Sequence, residues 1–403
     1  METRERKILI IVENLPVPFD TRVWQEASTL AANGYTVSVI CPKGKGYTDE
    51  YEYLNGVRIY RHDMPEEGNG FMGYVREYSC ALREELRLAK KIYKEVGFDV
   101  IHGCNPPDDI FLVARHFKKY GVRYVFDHHD ICPELFEAKF GKAGGLLYYS
   151  QVFLERLTYK NCVFAFVTNE SYRKIAIERD KMNPKNVVIL RSGPKLERLR
   201  IIDPVPEIKR GYKYMVGYLG VIGQQEGIQY VLGAAKYIKE HENNVFWGIV
   251  GGGPALEDMK KLAHDMGLDD CVEFTGRAPD QQMLEYLNTA DVCVNCDEYN
   301  AMNDKSTMNK ILEYMALAKP IVQFDLTEGR YSAQEASLYA KNNDSEDMAL
   351  KITELLNDPE KRKAMGEYGR NRIINELSWD HTSKAMLKAY DKYFRRIEKN
   401  ANN

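Results

Sequence analysis

Asp127-His128-His129-Asp130 sets two imidazoles between two carboxylates directly after the apolar run Arg123 to Phe126. Titratable side chains at the end of a strand project toward whatever cleft the sheet borders, which makes this quartet, with His102 and Asn105 upstream, a candidate site cluster. A lone histidine is more often a structural group, and that is the competing reading here. A second set suits anion binding. Gly251-Gly252-Gly253 ends an apolar run where backbone can approach a ligand closely, and Gly220 and Gly223 offer the same in an earlier loop. Ser306 and Thr307 are placed to cap a following helix and turn its N–H groups toward a phosphate, with Lys310 as the cation and Lys305 beside them. A surface lysine in a helical ion pair, a tight strand-to-helix turn at the glycines, and a structural ion pair for Arg277 are the plainer alternatives.

The elements that must position these residues alternate between short apolar runs and helix-period segments, the pattern of βαβ units feeding parallel sheets. Strands are expected at Lys7 to Val12, Thr36 to Cys41, Asp99 to His102, Arg123 to Phe126, Val163 to Thr168 and Val187 to Leu190. A helix is expected from Thr21 to Asn33, stopping at Gly34. Another should open at Pro106-Pro107, with Asp108 and Asp109 favouring its positive end. The proline-bearing stretch Arg191 to Arg210 marks a domain boundary. The alternation then restarts with strands Met215 to Leu219, Val245 to Val250, Cys271 to Phe274, a strand ending at Asn295, and Pro320 to Phe324. Helices should fill Gly227 to Glu240, Ala255 to Met266 and Lys310 to Ala318. The expected fold is α/β with two doubly wound Rossmann-like domains, 1–195 and 210–379, facing a central cleft, and helices from 380–403 packing back on the first.

Composition removes several classes. At 403 residues and 44% hydrophobic, the chain can fill two cores. A formal net charge of −3 gives no global field for nucleic acid. The run Ile8 to Val12 is too short for a signal peptide and no stretch reaches a membrane span of roughly 20 residues, so a cytoplasmic location is expected. Eight scattered cysteines, among them Cys41, Cys162 and Cys271, suit reduced core thiols. Cys293 and Cys296 form a single C-x-x-C without the second pair a structural zinc site needs. The first strand leads into Glu13-Asn14-Leu15-Pro16, which is no dinucleotide fingerprint.

Gly251-Gly252-Gly253-Pro254, Gly276-Arg277, Ala290-Asp291-Val292 and Lys310-Ile-Leu-Glu313-Tyr-Met-Ala316 followed by Lys319-Pro320-Ile321-Val322, in this order, closely resemble the donor half of retaining GT-B glycosyltransferases of family 4. Phe19-Asp20-Thr21-Arg22 and Gly34-Tyr35-Thr36-Val37 resemble the opening of the same family's acceptor domain. The resemblance implies a cytoplasmic enzyme of cell-surface polysaccharide assembly that moves a sugar from a nucleotide-diphosphate sugar to a glycan or polyprenyl-linked acceptor, without a further cofactor. It implies that Glu313 binds ribose and that His129, better matched than His128, holds the donor sugar near the reacting carbon. His129, Lys310 and Glu313 are thus the expected catalytic set. Gly220, Gly223, Gly251, Gly252, Gly253, Arg277, Lys305, Ser306 and Thr307 are the expected donor contacts, with Asp127, His128, Asp130 and Asn105 toward acceptor or sugar.

Two departures stand out against that pattern. Lys305 occupies the place of the family's first motif glutamate, next to Asp304, and the loop Gly220-Val221-Ile222-Gly223-Gln224-Gln225-Glu226-Gly227 carries none of the usual cations. No Asp-x-Asp occurs, so phosphate neutralisation falls to Lys310 and backbone amides, and metal independence is expected. An amphipathic helix over Phe71 to Val96, with apolar Val75, Tyr78, Leu82, Ala89, Ile92 and Val96 and interspersed Arg76, Arg83, Arg87, Lys90, Lys91 and Lys94, fits core packing first and a peripheral membrane contact second. Glu77, Glu84 and Glu85 dilute its charge. Leu146, Leu147, Tyr148, Tyr149 and Phe153 after Gly144-Gly145 are a second exposed apolar candidate. A nucleotide-sugar 2-epimerase of the same fold and a non-catalytic two-lobed nucleotide-sugar binding module remain the rival functions.

Overall fold

Short apolar runs and amphipathic helices alternate through the computed structural model, which describes residues 5–64, 70–140, 145–241 and 244–401. The chain forms two units, one running to Arg191 and resuming at Ser383, the other spanning Ser192–Thr382. In the first, β1 (Lys7–Val12), β2 (Thr36–Pro42), β3 (Tyr51–Leu54), β4 (Val57–His62), β5 (Val100–Cys104), β6 (Arg123–His128), β7 (Cys162–Val167) and β8 (Val187–Ile189) form one sheet in the order β3-β4-β2-β1-β5-β6-β7-β8. Its pairs are parallel except β3 with β4. The second sheet takes β9 (Tyr214–Leu219), β10 (Val245–Val250), β11 (Val272–Gly276), β12 (Val292–Asn295), β13 (Ile321–Phe324) and β14 (Ser337–Ala340) in the order β11-β10-β9-β12-β13-β14, all parallel.

Parallel strands covered by helices on both faces lose the polar alternation of half-exposed strands. The Val-Phe-Trp-Gly-Ile-Val run of β10 is buried at every position. Helix starts follow local chemistry as well. Asp20 caps Thr21–Ala32 by accepting from Val23 N at 3.1 Å, and Gly34, at φ +84°, ends it as the chain turns into β2.

Strand order reverses between β1 and β5 in the first unit and between β9 and β12 in the second. The carboxyl ends of strands at such a reversal are where open α/β sheets bind ligands. The short strands β3, β4 and β14 lie beyond the expected set. The helix after β5 starts at Phe111, with Ile110 as its cap residue, so Asp108 and Asp109 do not open it. Asp108 is buried and accepts from Asn105 Nδ2 at 2.8 Å. The 191–210 stretch packs on the second unit, where Leu199 is 1% exposed and Val205 N donates to Thr289 Oγ1 at 2.8 Å. The final segment is one helix, Trp379–Ala401, whose residues from Ser383 onward group with the first unit. No helix among the described residues is long and apolar enough to cross a membrane.

Candidate functional site

In the first unit β6 carries Asp127 and His128 at its end, and the alternation of side chains continues to His129. Asp127 and His129 therefore share one face of the sheet and His128 takes the other. On the shared face the helix Thr21–Ala32 delivers Arg22, whose Nη2 donates to Asp127 Oδ1 at 2.8 Å and whose Nη1 donates to the Leu190 carbonyl at 3.1 Å. Asp127 Oδ2 lies 2.7 Å from His129 Nε2 and 3.3 Å from His102 Nε2. Burial opposes the charge on Asp127, but Arg22 and the two histidines outweigh it and hold the carboxyl well below its usual range.

Arg22 also reaches the histidine: its Nε donates to His129 Nε2 at 2.8 Å, which makes that nitrogen an acceptor and leaves the ring proton on Nδ1, while Glu26 Oε1 lies 3.1 Å from the same Nε as an ion-pair neighbour. Glu26, buried beside Asp127, has its pKa pushed well up and holds its proton. One ligand atom each from Glu26, His102, Cys104 and Asp127 lies within 4.8 Å of the others, a spacing a metal could use, but the Arg22 guanidinium already supplies the positive charge between the two carboxyls.

Among the residues expected at this mouth, only His129 and Asp130 are partly exposed. Asp127 is a buried hub. His128 points the other way, 2.7 Å from Tyr159 Oη, its pKa pushed down to about 3 by burial and by Arg179. Asn105 is buried too, its Oδ1 accepting from His129 N at 2.6 Å and Asp130 N at 3.2 Å, so it shapes the loop instead of meeting a ligand. A cavity of ≈ 300 Å³ opens beyond the ends of β1, β2 and β5, with Glu13, Asn14, Lys43, Lys45, Tyr78 and Pro106 in its wall.

In the second unit the glycine loops after β9 and β10 run against each other, with Ile222 N donating to the Gly252 carbonyl at 3.0 Å. A Cβ on Gly251 would fall on the Gly220 carbonyl, and one on Gly253 would meet the Ile222 carbonyl. These glycines are required first by loop-to-loop contact, a reason beyond any ligand. Lys310 reaches this junction from the helix Asn309–Ala316, its Cε 3.1 Å from where a Gly220 Cβ would be.

The lysine is not a free cation. Its Nζ donates to both Asp297 oxygens, at 3.0 and 2.9 Å, and to Tyr218 Oη at 3.3 Å. Burial works against its charge, yet Asp297 prevails and its pKa is raised. Nor do Ser306 and Thr307 cap the helix. Met308 is the cap residue and contributes no side-chain bond, while Ser306 Oγ donates to the Met302 carbonyl at 2.8 Å, following the turn Asn303–Lys305.

Glu313, one turn further, keeps 21% of its side chain exposed beside buried Leu312 and Met315. Its Oε1 accepts from Arg198 Nη1 at 3.3 Å, and Arg198 also grips Asp280 with two bonds of 2.8 Å. Burial raises the Glu313 pKa, with Arg198 opposing. Lys305 is partly exposed and Arg277 exposed, the latter just past β11.

Arg22, Glu26, Asp297, Tyr218, Arg198 and Glu13 were not among the expected site residues. Arg22 could have been found, since an arginine opening a helix right after its aspartate cap puts its charge at the unfavourable end and calls for a buried partner. The others are defined by partners far along the chain.

Residues 202–372 match the family model described as glycosyl transferases group 1, and residues 20–193 match the glycosyl transferase 4-like domain. An uncharacterised glycosyltransferase of Methanocaldococcus jannaschii is 21% identical over 375 residues, covering 90% of each chain. The GDP-mannose-dependent alpha-(1-6)-phosphatidylinositol monomannoside mannosyltransferase of Mycobacterium tuberculosis is 27% identical over 188 residues, 44% of this chain and 49% of that protein. Sucrose-phosphate synthase of Thermosynechococcus elongatus shares the fold with a TM-score of 0.78 at 17% identity, over 97% of this chain and 100% of that one. The two models together span most of the chain, the glycine loops after β9 and β10 and the helix after β12 lie inside the first of them, and the chain belongs to the group 1 glycosyltransferases of GT-B fold.

Proposed function

We propose that the enzyme takes its sugar from a nucleotide-diphosphate sugar bound at the β9/β12 reversal and transfers it, with retention, to a glycan or lipid-linked saccharide in cell-surface polysaccharide assembly. The observation that carries this is the convergence at one reversal of the glycine loops, Lys310 and a partly open Glu313. Glu313 suits the ribose hydroxyls because one oxygen remains for them after Arg198 has taken the other. The diphosphate falls to the first turn of the helix Asn309–Ala316, whose end carries no side-chain cap, with Lys310 beside it. Since Asp297 already holds Lys310, the arriving phosphate shares that cation with a carboxylate, a weaker grip than a free lysine gives.

In the first unit His129 is the group offered to the sugar. Its Nε2 accepts from Arg22 Nε, which leaves the Nδ1–H to donate to a sugar hydroxyl or to the oxygen on which charge develops. The cavity walled by Glu13 and Tyr78 is the proposed acceptor site. The mycobacterial relative's name gives a nucleotide-sugar donor and a lipid-borne acceptor, and both classes are proposed for this chain.

A basic surface supports a peripheral contact with the inner membrane face. On the helix Gly70–Glu95, Arg76, Arg83, Arg87, Lys90, Lys91 and Lys94 are all exposed. At about 100° per residue they fall within roughly a third of the circumference. Of the acids expected to dilute this stripe, one turns inward and one pairs with a cation of the stripe. Glu85 is buried, its pKa pushed up to about 8 by burial and then by Asp109, and Glu84 pairs with Arg87 at 2.7 Å. The side chains of Val75, Glu77, Leu146 and Leu147, and Gly144, lie outside the described residues, while Tyr149 and Phe153 are 62% and 63% exposed. Such a stripe suits anionic headgroups.

With a lysine and a helix end as the proposed phosphate partners, transfer should proceed without a divalent cation. Sugar transfer measured in excess chelator is expected to match the untreated rate. Loss of activity in chelator and its return on adding manganese would overturn the metal-free reading.

A further inference from the structure

The hydrogen-bonded cluster around His129 extends past Asp127 to two residues that no part of the proposed chemistry uses. His102, on β5, is fully buried. Its Nε2 faces Asp127 Oδ2 at 3.3 Å, and its Nδ1 lies 2.7 Å from Tyr390 Oη. Tyr390 sits on the helix Trp379–Ala401, buried among Tyr35, Phe164, Phe166 and Phe394. A ring in that setting is placed by packing alone. Its hydroxyl, buried with it, is aimed at one partner.

We propose that Tyr390 and His102 are positioning residues that hold Asp127, and through it His129, in the orientation and tautomer used for transfer. The inference rests on the reading of His129 as the group that meets the sugar. The order of donors follows from the atoms present. Among the described residues Tyr390 O–H has no acceptor but His102 Nδ1, which must therefore be the unprotonated nitrogen of a neutral ring. His102 Nε2–H then donates to Asp127 Oδ2, which lies 2.7 Å from His129 Nε2, and Arg22 ties the two together by donating Nη2 to Asp127 Oδ1 and Nε to His129 Nε2. With Oδ1 engaged by Arg22, the carboxylate is fixed at both ends and cannot rotate away from His129.

Removing the Tyr390 hydroxyl leaves His102 Nδ1 without its donor and lets the ring take either tautomer. In the other one its Nε2 lone pair faces the carboxylate, and Asp127 is released to turn. A neighbouring tyrosine supplies the control. Tyr393 lies on the same helix with a ring against Phe164, and its buried hydroxyl has no hydrogen-bond partner among the described residues.

The test compares Tyr390→Phe, Tyr393→Phe, His129→Ala and the double variant Tyr390→Phe/His129→Ala in steady-state sugar transfer, with melting temperatures alongside. Tyr390→Phe keeps the ring and is expected to lower kcat about tenfold, with the donor KM within about twofold, because misplacement of a reacting group falls on the transition state. Tyr393→Phe should leave both constants in place. In the His129→Ala background the Tyr390 change should cost nothing more, since both act through one group. An unchanged kcat in Tyr390→Phe overturns the inference, and so does a tenfold loss that persists when His129 is absent. Full activity of His129→Ala would instead remove the reading of His129 on which the inference stands.

Discussion

Asp127→Asn is expected to lower kcat by about a hundredfold or more and to cost about 3–5 kcal/mol of folding stability. Both effects come from one buried group. Asp127 is fully enclosed, accepts from Arg22 and lies against His102 and His129, so loss of its charge strands a buried guanidinium. The same guanidinium donates its Nε–H to His129 Nε2, so loosening it from position 127 removes the donor that orients the ring and sets its tautomer.

The pH dependence has a definite sign. The folded pKa of Asp127 lies well below its unfolded value, since Arg22 and the histidines outweigh burial. Its stabilisation is therefore fully present above an unfolded pKa of about 3.9 and is lost as pH falls through the lower folded value. Melting temperatures of wild type and variant should differ widely at pH 7 and converge toward strong acid. Equal melting at pH 7, or unimpaired turnover, would contradict the hub assigned to Asp127.

Glu313→Ala is expected to act on binding more than on folding. A carboxylate accepting from ribose hydroxyls contributes about 1.5–3 kcal/mol, so the nucleotide dissociation constant should rise roughly 10- to 100-fold. Little stability should be lost, because the side chain is 21% exposed and Arg198 keeps its two bonds to Asp280. Calorimetric titration with a nucleoside diphosphate checks this. A dissociation constant unchanged by the substitution would remove Glu313 from the ribose site, and an equal loss of melting temperature would make it a structural residue.

The sheet layout was legible because parallel strands buried on both faces are continuous apolar runs, as in β9, β10 and β12, and turn residues bracket them. Glu313 was legible for a similar reason. It follows Leu312 on a helix whose period buries Ile311, Leu312 and Met315 and leaves the glutamate at the edge. The partners of the charged residues were not legible. Arg22 and Asp127 are 105 positions apart, and Arg198 and Glu313 are 115 apart, so no local pattern links them. Lys310 was expected as the phosphate cation, and only the fold shows that Asp297 already holds it.

Three differences at the sites have local causes. His128 and His129 are adjacent, and carrying the two-residue alternation one step past β6 separates them, since side chains on a strand change face at every residue. Asn105 is polar at a strand end, which fits a ligand contact, but an asparagine amide serves backbone groups equally well and here holds His129 N and Asp130 N. Ser306 and Thr307 are good cap residues in composition, yet the turn Asn303–Lys305 moves the helix start to Asn309 and leaves Met308 at the cap.

Release of free nucleoside diphosphate from a panel of nucleotide sugars, measured for wild type, Glu313→Ala and His129→Ala, tests the central claim most directly. The account predicts that at least one sugar is turned over by wild type, that Glu313→Ala raises the donor KM, and that His129→Ala lowers kcat. Tight binding of a nucleotide sugar with no release from any member of the panel, or release untouched by both substitutions, would contradict it.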